Sequence, residues 1–451
     1  MQSRRDHVQA HQFSVGRLVR AAATGDTTSG ELPGRRANTG MVIGTVLAVL
    51  VCGGALILGL ISPKATESWS NPGAIIVDKT TGSRYLYVGG ALRPVLNYAS
   101  ALLAAGQDAS VQMVAHSTLA GVPVGPPIGI PGAPDALPAA SAMLPDSWAL
   151  CLEPDGGVVV DLAPAGRTSA AARGAILVAP PPGSPASPSA APPQQGEYVL
   201  WGATKYPVTD QAVLPALGLG DHEPIPASPV WLAALPTGAA LAPAEVPGSG
   251  DPGPQIAGAS ESVGQVFQTS GNGVEQYYVL RADGLAPIGA TEAALFSSVP
   301  GSAPPVDLTP AQVAAAPSSS DRSLLDRLPD LVSSAPYADT GASLCVLQHS
   351  PGAGSAAQLT TEDPADVSAA RPVVVPPGGG MLADPPGPQP LSGATPYLIT
   401  DSGEKFLIDS TAALDSLGYS ALAVNTLPAA VLALIPSGPV LDTATAQKEA
   451  T

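Results

Sequence analysis

Three cysteines, five histidines and 36 carboxylates are the side chains of this 451-residue sequence whose types can do chemistry, and their spacing decides which kinds. His7 and His11 lie near the start, while His116, His222 and His349 are scattered, and no H-E-x-x-H pair occurs. A divalent-metal site needs several such ligands converging, so neither a metal nor a cofactor is expected. Gly202-Ala203-Thr204-Lys205 places a lysine after a glycine but lacks the rest of a phosphate-binding loop, and G-x-S-x-G is absent. No local pairing of carboxylates marks an acid and a base. Catalytic residues are therefore not assigned, and enzyme activity has no support from these residues.

The cysteines need separate placement. Cys52 falls inside a long apolar run and reads as an inert small residue. Cys151 and Cys345 are 194 positions apart in similar settings, Trp148-Ala149-Leu150-Cys151-Leu152 and Ala342-Ser343-Leu344-Cys345-Val346, each a short buried strand. They form either a disulfide or two buried thiols. The bond fits the oxidising side of a membrane, and closing so long a loop contributes about 4 to 5 kcal/mol in the chain-entropy account.

That side is set by the stretch Met41–Ile61, 21 residues without a charge. As a helix it matches roughly 30 Å of hydrocarbon. The preceding segment has six arginines against three acids, and the remainder has 13 basic and 33 acidic residues. The basic arm should stay in the cytoplasm and the acidic bulk should lie outside. A cleaved signal peptide competes, but the apolar run is too long and begins 40 residues into the chain. Residues 1–40 are thus read as a cytoplasmic arm with an amphipathic helix, 41–61 as a transmembrane helix and 62–451 as an extracytoplasmic domain. Gly40, Gly44, Ala48 and Cys52 line one helical face, a small-residue pattern that allows close helix packing. With a net charge of −17 and 12% charged residues there is no electrostatic footprint for nucleic acid.

Four stretches of the outer part share a pattern, near residues 83–106, 197–220, 276–299 and 396–419. Nine residues separate Tyr85 from Pro94, Tyr198 from Pro207 and Tyr278 from Pro287, while Tyr397 is followed by Leu407 at the matching place. Each reads as a strand, a tight turn, a second strand and a helix, giving an α+β fold of four degenerate repeats. Val230-Trp231-Leu232-Ala233-Ala234-Leu235-Pro236-Thr237-Gly238 parallels Val431-Leu432-Ala433-Leu434-Ile435-Pro436-Ser437-Gly438 and closes two of them. Segments near 128–162 and 341–348 read as a central core. Ala179–Gln195, Gly248–Ala257 and Val373–Gln389 read as extended surface connections.

The arm RRDHVQAHQFSVGRLVRA, the apolar run, NPGAIIVDKTTGSRYLYVGGALRPVLNYASALL from Asn71 and IGIPGAPDALP from Ile128 together resemble the EccB family of actinobacterial type VII (ESX) secretion systems. The resemblance covers nearly the whole chain, including the paired outer cysteines and the four repeats; the Pro- and Ser-rich inserts depart from it. It implies a structural subunit of an inner-membrane complex with EccC-, EccD- and EccE-like partners, a single membrane crossing, and a periplasmic domain able to form a homodimer. It also implies two further readings: an ATP hydrolase, for which no phosphate-binding motif is present, and peptidoglycan binding by the repeats.

Overall fold

Glycine and proline cut the outer sequence into apolar runs of four to eight residues, a length that suits strands. In the computed structural model these runs are short strands gathered into small sheets. Residues 4–25, 33–61, 67–164, 174–182, 196–271, 273–333, 335–337, 341–349, 357–363, 372–385 and 395–450 are described. The chain divides into two units, residues 1–69 and 70–451.

The first unit holds α1 (Arg4–Thr24) and α2 (Pro33–Ile61). On α1 the apolar Val8, Phe13, Leu18 and Val19 are exposed. The helix α2 contains the whole Met41–Ile61 run, but its side chains are described only for residues 39–54. Among the described residues no helix is long and apolar enough to cross a membrane, because the described part of this one stops short of the end of the run.

In the second unit one order of elements occurs four times: three strands, a helix, a fourth strand and a second helix. It begins with β1 (Ala74–Asp78), β2 (Arg84–Val88), β3 (Ala91–Pro94), α3 (Tyr98–Ala105), β4 (Ser110–Val114) and α4 (His116–Leu119). After β5 (Ser147–Leu152) and β6 (Val158–Asp161) come β7 (Ile176–Ala179), β8 (Tyr198–Trp201), β9 (Thr204–Pro207), α5 (Val213–Ala216), β10 (Ile225–Pro226) and α6 (Pro229–Ala233). A separate hairpin, β11 (Pro252–Ile256) and β12 (Ala259–Ser262), precedes β13 (Val266–Gly271), β14 (Val274–Arg281), β15 (Gly284–Ile288), α7 (Ala290–Ser298), β16 (Val306–Asp307) and α8 (Pro310–Ala315). After β17 (Ser343–His349), β18 (Gln358–Glu362) and β19 (Val373–Val374), the last set is β20 (Gly380–Asp384), β21 (Tyr397–Thr400), β22 (Lys405–Leu407), α9 (Thr411–Ser416), β23 (Asn425–Thr426) and α10 (Ala429–Leu434). The short α11 (Thr443–Ala446) follows.

The four sets give four sheets of one topology, β3-β2-β1-β4, β9-β8-β7-β10, β15-β14-β13-β16 and β22-β21-β20-β23. In each the first three strands form an antiparallel meander, and the fourth returns parallel to the first. The first and fourth strands went unread in the sequence. The return strands β10, β16 and β23 are only two residues long, too short for any alternation to register.

A fifth sheet, β18-β17-β5-β6-β19, is assembled from both sides of the second and third sets. One of its faces joins the largest core: Trp148, Leu150, Val160 and Val346 pack with Ile176, Leu200 and Trp231 of the second set and with Met381, Ile399 and Val431 of the fourth. Burying each such side chain contributes about 1.5 to 3 kcal/mol. The Trp231 indole N–H donates to the Leu150 carbonyl at 2.9 Å, so this core is pinned as well as packed. The first sheet reaches the fourth through α3 against α9, and the second reaches the third through α5 against α7. The spatial order is therefore first, fourth, centre, second, third.

Two sequence readings are corrected here. The described part of Val373–Gln389, residues 373–385, is not a surface connection: it holds β19 and β20, where Met381 and Ala383 are fully buried, and Pro376, Pro377 and Pro385 flank those strands without interrupting them; residues 386–389 lie outside the described residues. Gly248–Ala257 likewise contains β11, paired only with β12, an edge where proline is tolerated. In Ala179–Gln195, residues 183–195 lie outside the described residues.

Candidate functional site

The two outer cysteines stand directly opposite each other on the antiparallel strands β5 and β17, and they are bonded. Both are fully buried with Ala149 and Val159 on the second face of the central sheet. The loop that this bond closes contains the second and third sheets entire. Glu362 is their one carboxylate neighbour at ligand distance among the described residues, but sulfurs joined to each other are not thiolate ligands, so the trio does not fit a metal ion.

The IGIPGAPDALP stretch is a clamp between the first and fourth sheets and forms no strand of the centre. Asn97 caps α3 by accepting from the Ser100 N–H, and its side-chain amide donates to the Ile130 carbonyl at 2.8 Å. Ser100 Oγ accepts from the Ile130 N–H at 2.8 Å. Gly129, with φ near +129°, passes so close to Ser100 that a Cβ there would press on it. Asp135 accepts from Arg84 at 2.5 Å and from the Tyr98 N–H at 2.9 Å. From the fourth set, the buried Tyr419 hydroxyl donates to the Pro138 carbonyl at 2.7 Å, and burial pushes its phenol pKa up.

The marker residues pair within their hairpins: Tyr85 with Pro94, Tyr198 with Pro207, Tyr278 with Pro287 and Tyr397 with Leu407. Outside each third strand a Pro-centred segment crosses in parallel. The N–H groups of Leu92, Lys205, Leu285 and Lys405 donate to the carbonyls of Pro123, Pro236, Pro317 and Pro436, at 2.7 to 2.9 Å. Two of those positions carry lysines: Lys205, weighed in the sequence only against a phosphate loop, and Lys405, not singled out there. Lys205 Nζ donates to the carbonyls of Leu232 and Leu235 at the end of α6, and Lys405 Nζ to those of Leu432 and Ile435 at the end of α10. A cation on the last carbonyls of a helix satisfies groups that have no partner within it. Burial lowers the pKa of both ammonium groups. The signal was the lysine 27 residues before the matching leucine in VWLAALP and VLALIP.

Across the second and third sets, Arg327 binds the buried Glu292 through Nε and Nη2, and Nη2 also donates to the Ala242 carbonyl at 2.8 Å. His116 meets the buried Asp78 at 2.7 Å, and that bond, with one from the Thr80 N–H, holds the Asp78 carboxyl down at about 2. His222 and His349 make no cluster with it among the described residues. Gly40 and Gly44 have open space beside them, and Cys52 is an exposed free thiol.

These parts brace sheets against one another, and no convergence of acid, base and nucleophile accompanies them among the described residues. Residues 1–450 match the family described as type VII secretion system ESX-1, transport TM domain B. The chain belongs to the EccB family. The ESX-3 secretion system ATPase EccB3 of Mycolicibacterium smegmatis is 30% identical over 98% of this chain and 90% of its own length. The ESX-2 secretion system ATPase EccB2 of Mycobacterium tuberculosis is 32% identical over 68% of this chain and 62% of its own length. Among solved structures, a chain of an intact ESX-5 inner membrane complex superposes with a TM-score of 0.62 at 26% identity, covering 100% of this chain and 96% of that one. The EccB3 dimer from the ESX-3 core complex gives 0.61 at 27% identity over 83% of this chain and 100% of that one. The EccB resemblance read from the sequence is thus established.

Proposed function

We propose that this chain is a structural subunit of a type VII secretion membrane complex, anchoring the assembly by α2 and bracing it with the domain of four like sheets around a central one. The observation that carries this is the end-to-end likeness to a chain of the intact ESX-5 inner membrane complex. In this reading α2 crosses the inner membrane once, residues 1–40 lie in the cytoplasm, and the face of Gly40, Gly44, Ala48 and Cys52 packs on a neighbouring helix. The domain from residue 62 onward is periplasmic and pairs with a second copy, as EccB3 does. The four sheets are copies of one ancestral unit; their common strand order and the Tyr–Pro pairing in three of them support this. The partners are EccC-, EccD- and EccE-like subunits. Co-purification in detergent tests the assignment: removing residues 1–61 should abolish recovery of those partners, and undiminished recovery would refute it.

The names of the relatives favour one second reading, ATP hydrolysis. It requires a phosphate cradle, and the sequence carries no G-x-x-x-x-G-K-[ST] loop to supply one. ATP turnover by the purified chain, abolished by a single pocket substitution, would reverse the ranking. Binding to cell-wall sacculi, measured by sedimentation, tests the peptidoglycan reading, which is compatible with a scaffold.

A further inference from the structure

The four sheets are closed alike except at one corner of the third. In the first, second and fourth, the crossing segment stays beside the third strand for a second contact: the N–H groups of Ile128, Leu241 and Leu441 donate to the carbonyls of Pro94, Pro207 and Leu407 at 2.8 to 2.9 Å. In the third sheet only the first contact forms, Leu285 with Ser318. The chain then turns away at Asp321, whose carboxylate is held by Arg281 at 3.1 Å and by the Ser323 N–H at 2.7 Å. The Pro287 carbonyl receives no backbone N–H among the described residues.

The neighbouring strand continues past this corner. β14 pairs with β13 back to Val274, whereas β15 ends at Ile288 opposite Tyr277. Antiparallel strands direct alternate residues to alternate sides. The Leu280 N–H and carbonyl point toward the β13 side, so those of Glu275 point toward the side where β15 has ended. Beside this edge lies an open groove of about 800 Å³. Its lining includes exposed Val274 and Val332, and on one face of β14 the Tyr277 ring stands with the carboxylates of Glu275 and Asp330, with no lysine or arginine among the lining residues. Asp330 is held at the wall by accepting from the Val332 and Ser333 N–H groups, and Glu275 by accepting from the Tyr277 hydroxyl at 2.6 Å, which pushes that phenol up to about 12.

We infer that this corner of the third sheet is a docking groove for an extended, basic polypeptide segment of a partner, which adds itself where the other three sheets use their own chain. Unpaired strand edges take up extended peptides through main-chain hydrogen bonds, with side-chain pockets setting specificity. The occupant is basic because the Glu275 and Asp330 carboxylates and the Tyr277 ring favour a cation, and nothing cationic among the lining residues opposes it. A glycan is the less favoured guest: the Tyr277 and Tyr278 hydroxyls are already committed to Glu275 and Gln276, and the exposed main chain matches a strand.

The test uses the full chain in nanodiscs and a fluorescein-labelled octapeptide alternating threonine and lysine, with a threonine–glutamate octapeptide and chitohexaose as comparison probes. The basic peptide should bind in fluorescence anisotropy, and a photocrosslinker on it should map to residues 273–290. Glu275→Gln with Asp330→Asn should weaken binding at least tenfold. Both sites are exposed, and an unchanged hydrogen-exchange pattern in the other sheets verifies folding. A second variant, Gln112→Glu with Ser110→Glu on the exposed β4 edge, should leave binding unchanged. No binding, equal binding by the double amide variant, crosslinks elsewhere, or preferential binding of the acidic peptide or of chitohexaose would each overturn the proposal. Co-purification with the secretion complex is a separate readout, so the groove and the scaffold assignment fail independently.

Discussion

Gly438 and Phe406 offer the sharpest check on how the sheets are closed. The Gly438 N–H donates to the Lys405 carbonyl, and its missing side chain leaves room for the Phe406 ring: a Cβ built on Gly438 would fall well inside the ring's van der Waals envelope. Gly238 stands in the same relation to Tyr206. In the third sheet the matching donor is Ser319 and the residue after Leu285 is Ala286, so a larger residue appears where the ring is gone. Gly438 is not in the left-handed backbone region, so space alone excludes a side chain. Phe406 is 1% exposed and cannot swing into solvent. Gly438→Ser should therefore cost about 1 to 3 kcal/mol as overpacking. Phe406→Ala should cost about 3 to 5 kcal/mol as a cavity. Were the two independent, the double variant would lose about 4 to 8 kcal/mol. If the ring and the glycine are one device, the double variant should lose no more than Phe406→Ala alone, a coupling of about 1 to 3 kcal/mol. Hydrogen exchange of residues 396–441 in the intact chain, read as opening free energies, reports the fourth sheet without requiring two-state unfolding. Additive losses would refute the reasoning.

Lys405→Leu copies the residue found at the matching place in the first and third sheets, yet here it strips two carbonyls at the end of α10 of their donor. A loss of about 2 to 4 kcal/mol is expected, visible as faster exchange at residues 429–435. Arg327→Ala leaves Glu292 buried beside no cation and should cost about 3 to 5 kcal/mol, detected as easier proteolysis between the second and third sheets. The Asp78 carboxyl is depressed, so its contribution is complete above the ordinary value of 3.8 and is lost as pH falls through about 2. Asp78→Asn should flatten the acid limb of exchange in residues 74–88, and an unchanged limb would disprove the assignment. Replacing Cys151 and Cys345 together by alanine should lower denaturant resistance by about 4 to 5 kcal/mol while leaving residues 98–105 unaffected, as judged by exchange in those peptides.

Much of this architecture is written locally. Tyr85 and Pro94 announce a hairpin because nine residues with a glycine turn allow little else, and the strand settings of Cys151 and Cys345 follow from their apolar neighbours. What escaped reading depends on distance. Three of the return strands, β10, β16 and β23, are two residues long and exist only because a parallel neighbour is already in place. Met381 and Ala383 sit between proline-rich flanks that resemble a linker, and only their burial against Ile399 reveals a strand. Lys205 and Lys405 look like surface charges until α6 and α10 present their carbonyls. The IGIPGAPDALP stretch was visible as a motif, but its task, holding two sheets that lie hundreds of positions apart in sequence, could be known only once Tyr419 was found on Pro138.

The pairing of the first sheet with the fourth also sets a schedule. Synthesis delivers Ala99 and Leu103 before the second and third sheets, yet the surfaces that cover them, from Leu398 to Ala446, are made only after both. Until then the sheet nearest α2 in sequence carries a bare apolar flank, and the second sheet lacks the Met381, Ile399 and Val431 side of its core as well, whereas the third sheet already has its own cluster around Val266, Val279 and Ile288. A chain stalled before the fourth set is made would accordingly display an unfinished, adhesive beginning.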